Sequence, residues 1–455
     1  MLGFPLFEVS RKAGLSLGLK ERELKVYDGE NIRNIALAGH GHTGKTQLVS
    51  SLLYTAGMVN RQGRVDDGSS VTDYDDEEIQ RKFSISASLA YAEWGKCKIN
   101  FIDTPGFNIF LHETEAALAA ADAALLLVHG VAGVEVQTEK TWGFCEKYGL
   151  PRAVVINQMD RERAGFDRAL NALREKFGRH VIPVELPWGE EKGFRGVIDL
   201  VEMKAFAYDP DGSGKARESA IPDELAAAAA SAHEAMVEMV AEGNDRLLEE
   251  FFEKGTLPPE DLIPGIKEAV LQRRIVPVTV SAALPNIGSE SLLNFIVTYL
   301  PSPADRGEWE GESPDGQTKV HRPMAQTQPL ALSVFKTLAD PFAGRVSYFK
   351  VLSGVLKNEA SVVNFSRGGV EKLSHIGVVQ GKVQTPVAEL RAGDIGAVAK
   401  LKDTLTGDTL GDKAAPVIYP RLRLAEPAIS FAIEPKSRND EEKLSTAIHR
   451  MLEED

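Results

Sequence analysis

Gly39-His40-Gly41-His42-Thr43-Gly44-Lys45-Thr46 fits the pattern G-x-x-x-x-G-K-[ST]. In that pattern a glycine-rich loop turns its backbone N–H groups onto phosphate oxygens, the lysine reaches the terminal phosphates, and the last hydroxyl meets a divalent cation. Three further elements follow in order: Asp103-Thr104-Pro105-Gly106, Asn157-Gln158-Met159-Asp160 and Ser281-Ala282-Ala283. The phosphate-loop pattern alone would arise by chance in roughly one chain in a hundred of this length, and all four in this order are those of a guanine-nucleotide fold. The sequence is therefore read as binding GTP and GDP with Mg²⁺.

Each element has a chemical reason. Lys45 is expected at the β- and γ-phosphates, and the Thr46 hydroxyl on Mg²⁺. Asp103 closes an apolar run, Lys98–Asp103, and is expected in the Mg²⁺ shell. Gly106 has no Cβ to keep its N–H from the γ-phosphate. Asp160, with Asn157, is expected to accept from N1–H and N2–H₂ of guanine, a donor pair adenine lacks. Ser281 and Ala282 are expected to offer backbone N–H groups to guanine O6. The segment Thr72-Asp73-Tyr74, followed by residues 80–85, reads as a mobile switch, with Ser84 as a second hydroxyl ligand for Mg²⁺.

Around these motifs the apolar runs alternate with helix-like stretches, as in a parallel sheet covered on both faces. Residues 35–38 form a strand into the phosphate loop and Thr46–Thr55 the helix it opens. Ala123–Val128, Arg152–Asn157 and Ile275–Ser281 supply further strands, and Ser291–Tyr299 a closing helix stopped by Pro301 and Pro303. Between Asp160 and Ser281 the chain is far longer than a loop needs, so an inserted α+β subdomain is expected at about 175–262. It carries strand-like pieces at Val181–Leu186 and Gly196–Leu200 and an alanine-rich helix, Pro222 to about Ala241. The nucleotide-binding domain is thus placed at 31–300, behind an extension of residues 1–30. Residues 301–328 read as a linker, and residues 329–424, with runs at Arg345–Tyr348, Ser361–Phe365 and Gly396–Leu401, as a small β-barrel. From 425 to 455 one alternating strand (Ala428–Glu434) and one amphipathic helix (Asn439–Glu454) are expected. They are too little to bury a core, so this third unit reads as incomplete.

Composition narrows the partners. The 455 residues carry a formal charge of −14, which disfavours free nucleic acid and anionic membrane but leaves room for a local docking patch. Two cysteines, Cys97 and Cys145, suit a reducing cytoplasm. The apolar stretch Ala116–Val134 is broken by Asp122 and His129 and reads as helix and strand, not as a membrane span. A cytoplasmic monomer is expected.

These motifs resemble the translational GTPases, and elongation factor G in particular. Gly39–Thr46 and Asp103–Gly106 are similar to that family's phosphate loop and D-T-P-G turn. Residues 131–137, 197–203, 299–303, 353–356, 392–395, 401–404 and 406–410 are similar as well. The resemblance implies an α/β P-loop GTPase domain with an inserted α+β subdomain, a β-barrel domain II, and the start of a ferredoxin-like domain III. It also implies the ribosome as partner. Where the family's phosphate-loop aspartate stands, this chain has His42. Phe107 takes the place of its catalytic histidine, Gln158 that of the lysine beside the base, and Ser84 that of the switch threonine. Phenylalanine cannot hold a water by hydrogen bonding, so the catalytic residue is left unassigned, with Lys45 and Gly106 in support. This pattern resembles the divergent second-copy members. Weak or ribosome-dependent GTP hydrolysis without translocation is the expectation. The alternatives are a non-hydrolysing regulator at the ribosomal factor site, or a ribosomal protection or release-factor GTPase, against which residues 197–203 speak.

Overall fold

The computed structural model describes residues 25–340, 344–421 and 430–454. Its largest sheet has seven strands, in the spatial order Ser88–Trp94, Cys97–Asp103, Ile32–Gly39, Ala123–His129, Arg152–Asn157, Val276–Val280, Val181–Pro183. All run parallel except Ser88–Trp94, which forms a hairpin with its neighbour. Ile32–Gly39 is buried along its whole length, as a strand with helices on both faces must be. Its alternate residues serve two cores. Ile35 and Leu37 join Leu48, Leu52 and Leu125 on one face, while Ala36 and Ala38 join Leu126, Val128 and Ile156 on the other. Motif-bearing loops thereby leave the same carboxyl edge of the sheet, where such folds bind ligands.

Val181–Pro183 differs from the sequence reading. It joins the main sheet beside Val276–Val280, and the chain leaves that sheet only at Val184, whose N–H still bonds to Val278 O at 3.0 Å. Beyond it, Glu185–Trp188, Gly196–Asp199, Lys204–Tyr208 and Ala216–Ser219 make an antiparallel four-stranded sheet. Helices Asp223–Ala241, Asp245–Lys254 and Pro259–Leu271 follow it. Within the segment read as a linker, Glu308–Glu312 pairs with Lys319–Pro323. Trp309 and Val320 pack there on Val417 and Tyr419, in a small core shared with Ala331 and Leu352 of the following unit.

Eight antiparallel strands then form the barrel-like unit, its longest members Ala331–Asp340 and Gly344–Ser353. It is seated on the main sheet by a dry polar junction. Lys98 Nζ meets both oxygens of Asp394 at 2.7 and 2.9 Å, and Lys350 Nζ meets Asp122 Oδ1 at 2.7 Å. The pairs cross in opposite senses, each unit giving one cation and one anion. Asn34 and Asn100 link them, through Asp122 Oδ2 at 2.7 Å and Asp394 Oδ1 at 3.0 Å.

Helix Arg438–Glu454 forms as read and lies along strand Ala331–Asp340. The strand expected at Ala428–Glu434 does not appear. Residues 428 and 429 lie outside the described residues, and residues 430–434 carry no strand. Phe431 and Ile433 are exposed there, so the alternating pattern finds no partner face among the described residues. Of the expected N-terminal extension, residues 1–24 likewise lie outside the described residues.

Candidate functional site

The phosphate loop turns out of the first strand at Gly39 and enters helix Lys45–Thr55 through Gly44, whose φ of 86° is left-handed. A Cβ on Gly44 would lie 2.6 Å from Asn157 Nδ2, so only glycine lets the loop touch the base-side motif. The N-terminus of this helix, with its unpaired first-turn N–H groups, borders a cavity of about 650 Å³. That cavity is lined by residues of all four expected motifs, among them Lys45, Thr46, Gly106, Asn157, Asp160 and Ala283. Its size suits a nucleotide-sized ligand.

Lys45 is buried and curls back over its own loop, donating to His40 O at 2.8 Å and Gly39 O at 3.2 Å. Burial pushes its ammonium down to about 8, against the pull of Asp103, Asp73 and Glu135. Beside it the Thr46 and Ser84 hydroxyls are 3.0 Å apart. Ser84 Oγ donates to Asp73 Oδ1, and Thr72 Oγ1 donates to Asp103 Oδ2, both at 2.7 Å. The second oxygens, Asp73 Oδ2 and Asp103 Oδ1, are buried without a partner. Burial, and then the Asp103 charge, push Asp73 up to about 7; burial likewise raises Asp103. Two dry carboxylates facing two hydroxyls are thus short of positive charge. This all-oxygen donor set fits a small hard cation such as Mg²⁺. Among the described residues no group of three or more His, Cys, Asp and Glu side chains gathers to hold a metal ion.

Of the residues expected at the cation, Thr46 and Ser84 are in contact, and Asp103 is tied to the same switch segment through Thr72. Asp73 was read only as part of the switch segment; nothing in its spacing marks it, because folding alone brings it to Ser84.

At the other end Asn157 acts as a brace. Its Nδ2 donates to Thr43 O at 2.8 Å and its Oδ1 accepts from Ala283 N at 3.1 Å. Gln158, at φ 63°, donates from Nε2 to His42 O at 2.9 Å. One expectation is overturned. The N–H groups of Ser281 and Ala282 are not offered to a ligand: Ser281 N bonds to Ile156 O at 2.9 Å and Ala282 N to Ile287 O at 3.0 Å. The turn over 282–287 closes on itself, and Ala283 and Leu284, not Ser281 and Ala282, line the cavity.

Over the phosphate end lies an aromatic cap. The Phe107 ring packs 4.7 Å from Phe83 and meets His42 edge-on at 5.3 Å. A Cβ on Gly41 would come within 3.2 Å of the Phe107 ring, so the ring lies directly on the phosphate loop.

The family models agree with this geometry. Residues 30–302, more than half the chain, match the elongation factor Tu GTP-binding domain. This defines the class: a protein with a GTP-binding domain of the translational type. Residues 329–413 match elongation factor G domain 2 and residues 424–455 its domain III. The chain therefore belongs to the elongation factor G family of translational GTPases. Among solved structures it resembles a crystal structure of a protein from Thermus thermophilus, with 33% identity and a TM-score of 0.83. The match covers 94% of this chain and 61% of that one, so the chain spans less than two thirds of that protein's length. No helix among the described residues is long and apolar enough to cross a membrane.

Proposed function

We propose that the chain is a ribosome-associated, cytoplasmic GTP-binding factor. It takes GTP or GDP with Mg²⁺ in the cavity between the phosphate loop and Asp160, and turns GTP over slowly. The loop N–H groups from Gly41 to Thr46 and Lys45 hold the phosphates, with Gly106 at the γ-phosphate. Thr46, Ser84 and Asp103 hold the cation, which neutralises phosphate charge when bound. Asp160 reads the guanine edge, while Asn157 and Gln158 keep the base side joined to the loop. The domain bounds in this reading are GTPase about 31–300, linker 301–328, barrel about 329–424, and the start of domain III after it.

The observation that carries slow turnover is Phe107. In phosphoryl transfer to water the protein mainly positions the nucleophile and stabilises charge. A ring pressed between Phe83 and His42 offers an attacking water no hydrogen bond, and it displaces water from that side. Multiple-turnover phosphate release, with and without ribosomes, tests this. Turnover is expected near background alone and raised in Phe107→His with ribosomes. Wild type as fast as that variant would refute it. The same aromatic packing favours, as second reading, a non-hydrolysing regulator; phosphate release that stays absent with ribosomes selects it.

A further inference from the structure

One barrel side chain touches both segments that border the phosphate end. Lys336, in strand Ala331–Asp340, is only 7% exposed. Its ammonium donates to Ser86 Oγ, to Ala87 O at 2.9 Å, and to Glu113 Oε2. Ser86 and Ala87 continue the segment that delivers Ser84 to Thr46. Glu113 lies in the first turn of helix Leu111–Ala120, which follows Gly106 and Phe107. The two segments also hold each other, since Glu113 Oε2 accepts from Ala87 N at 2.7 Å and Ser86 Oγ at 3.2 Å. Behind them Glu78 takes the N–H groups of Ile85 and Ser86 at 2.9 and 3.1 Å, fastening helix Asp76–Arg81 to the same point.

We propose that Lys336 makes nucleotide choice depend on the barrel: its contacts with Ser86, Ala87 and Glu113 favour the ordered arrangement of both segments, and with it the triphosphate over the diphosphate. This rests on the guanine-nucleotide reading of the cavity. A buried ammonium needs its acceptors. Withdrawal of the 84–87 segment strips two of the three and leaves a dry cation beside a single carboxylate. Order in the segment that reaches Thr46 and the seating of Lys336 therefore stabilise each other, and the coupling acts in both directions. The other buried cations of the junction differ. Lys98 and Lys350 pair with Asp394 and Asp122, away from the cavity lining, and hold the barrel whichever nucleotide is present.

The test is titration of the full chain with fluorescent GDP and with a fluorescent non-hydrolysable GTP analogue, both with Mg²⁺. Lys336→Met and Glu113→Gln should each lower the triphosphate-to-diphosphate affinity ratio by about fivefold or more, with diphosphate affinity little changed. Their double variant should fall by less than the two single losses combined, because the Lys336–Glu113 bond is common to both. Gln380→Ala serves as control. It removes a junction bond to Tyr91 N of 2.8 Å and should leave the ratio unchanged. Glu113→Gln preserves shape and keeps the test decisive should Lys336→Met fold poorly. A ratio unchanged in both variants, an equal loss in Gln380→Ala, or a wild type without preference overturns the proposal. A wild type that binds neither nucleotide overturns instead the reading of the cavity.

Discussion

In the proposed reading, Asp160, which lines the cavity, is the residue on which nucleotide choice turns. Facing adenine, its carboxylate would meet no pair of donors, so ATP should bind about a thousandfold or more weaker than GTP. Asp160→Asn should weaken GTP and improve xanthosine triphosphate; calorimetry giving equal ATP and GTP affinities would remove Asp160 from the base site. Glu185 is a second residue with a measurable signature. It is fully buried, accepts from Val280 N at 3.1 Å, and is pushed up to about 8 by burial, with Asp199 adding to the rise. The folded chain therefore keeps a proton that an unfolded glutamate releases near 4.5. Stability from this group is full below that value and is lost as pH rises towards 8. Glu185→Gln, which still accepts from Val280, should be more stable than wild type at pH 8 by a few kcal/mol at most. The gain should shrink towards pH 5 in urea titrations; a pH-independent difference would contradict the burial argument.

The phosphate loop works as an element because its curvature and its contacts are inseparable. Gly44 combines a left-handed φ of 86° with a 2.6 Å approach of any Cβ to Asn157 Nδ2. Gly44→Ala must therefore either distort the loop or push Asn157 off Thr43 O. Strained φ and lost bracing together should cost about 1–3 kcal/mol of stability. Nucleotide affinity should fall far more, because the loop's N–H groups no longer converge on one phosphate. Melting temperature and nucleotide titration, run side by side, separate the two effects. Near-native affinity in this variant would show that the loop can relax. The switch segment is the opposite kind of element. Its positions are held by polar side-chain contacts, from Thr72 to Asp103 on the neighbouring strand and from Ser84 to Asp73 within the segment.

For the whole molecule the junction of sheet and barrel matters most. Lys98 and Asp394 are both almost fully buried, with side chains 4% and 6% exposed. Lys98→Met leaves that carboxylate without its ammonium in a dry site, which should destabilise the chain by about 3–5 kcal/mol. Lys98→Met with Asp394→Leu should recover much of the loss, because neither charge is then stranded. Chemical denaturation of the three proteins checks this. A double variant as unstable as Lys98→Met alone would mean that Asn100 and Asn34, not the ion pair, hold the junction.

The local pattern of the chain was enough for the phosphate loop, its strand and helix, Asp103 and the Asn157–Asp160 turn. These are short-range features: glycine where φ must be positive, apolar runs for buried strands, and fixed spacing between backbone and side chain. Helices such as Asp223–Ala241 and Arg438–Glu454 were legible for the same reason. What depended on partners was not. Val181–Pro183 joins the main sheet only because Val276–Val280 leaves an open edge beside it. The N–H groups of Ser281 and Ala282 were spent on Ile156 and Ile287, which no spacing rule announces. Asp73 reached Ser84, and Lys336 reached Glu113, through contacts that only tertiary folding makes. Sequence periodicity sets which residues are buried in an element; packing sets which buried polar atoms, such as Asp73 Oδ2 and Asp103 Oδ1, are left unpaired.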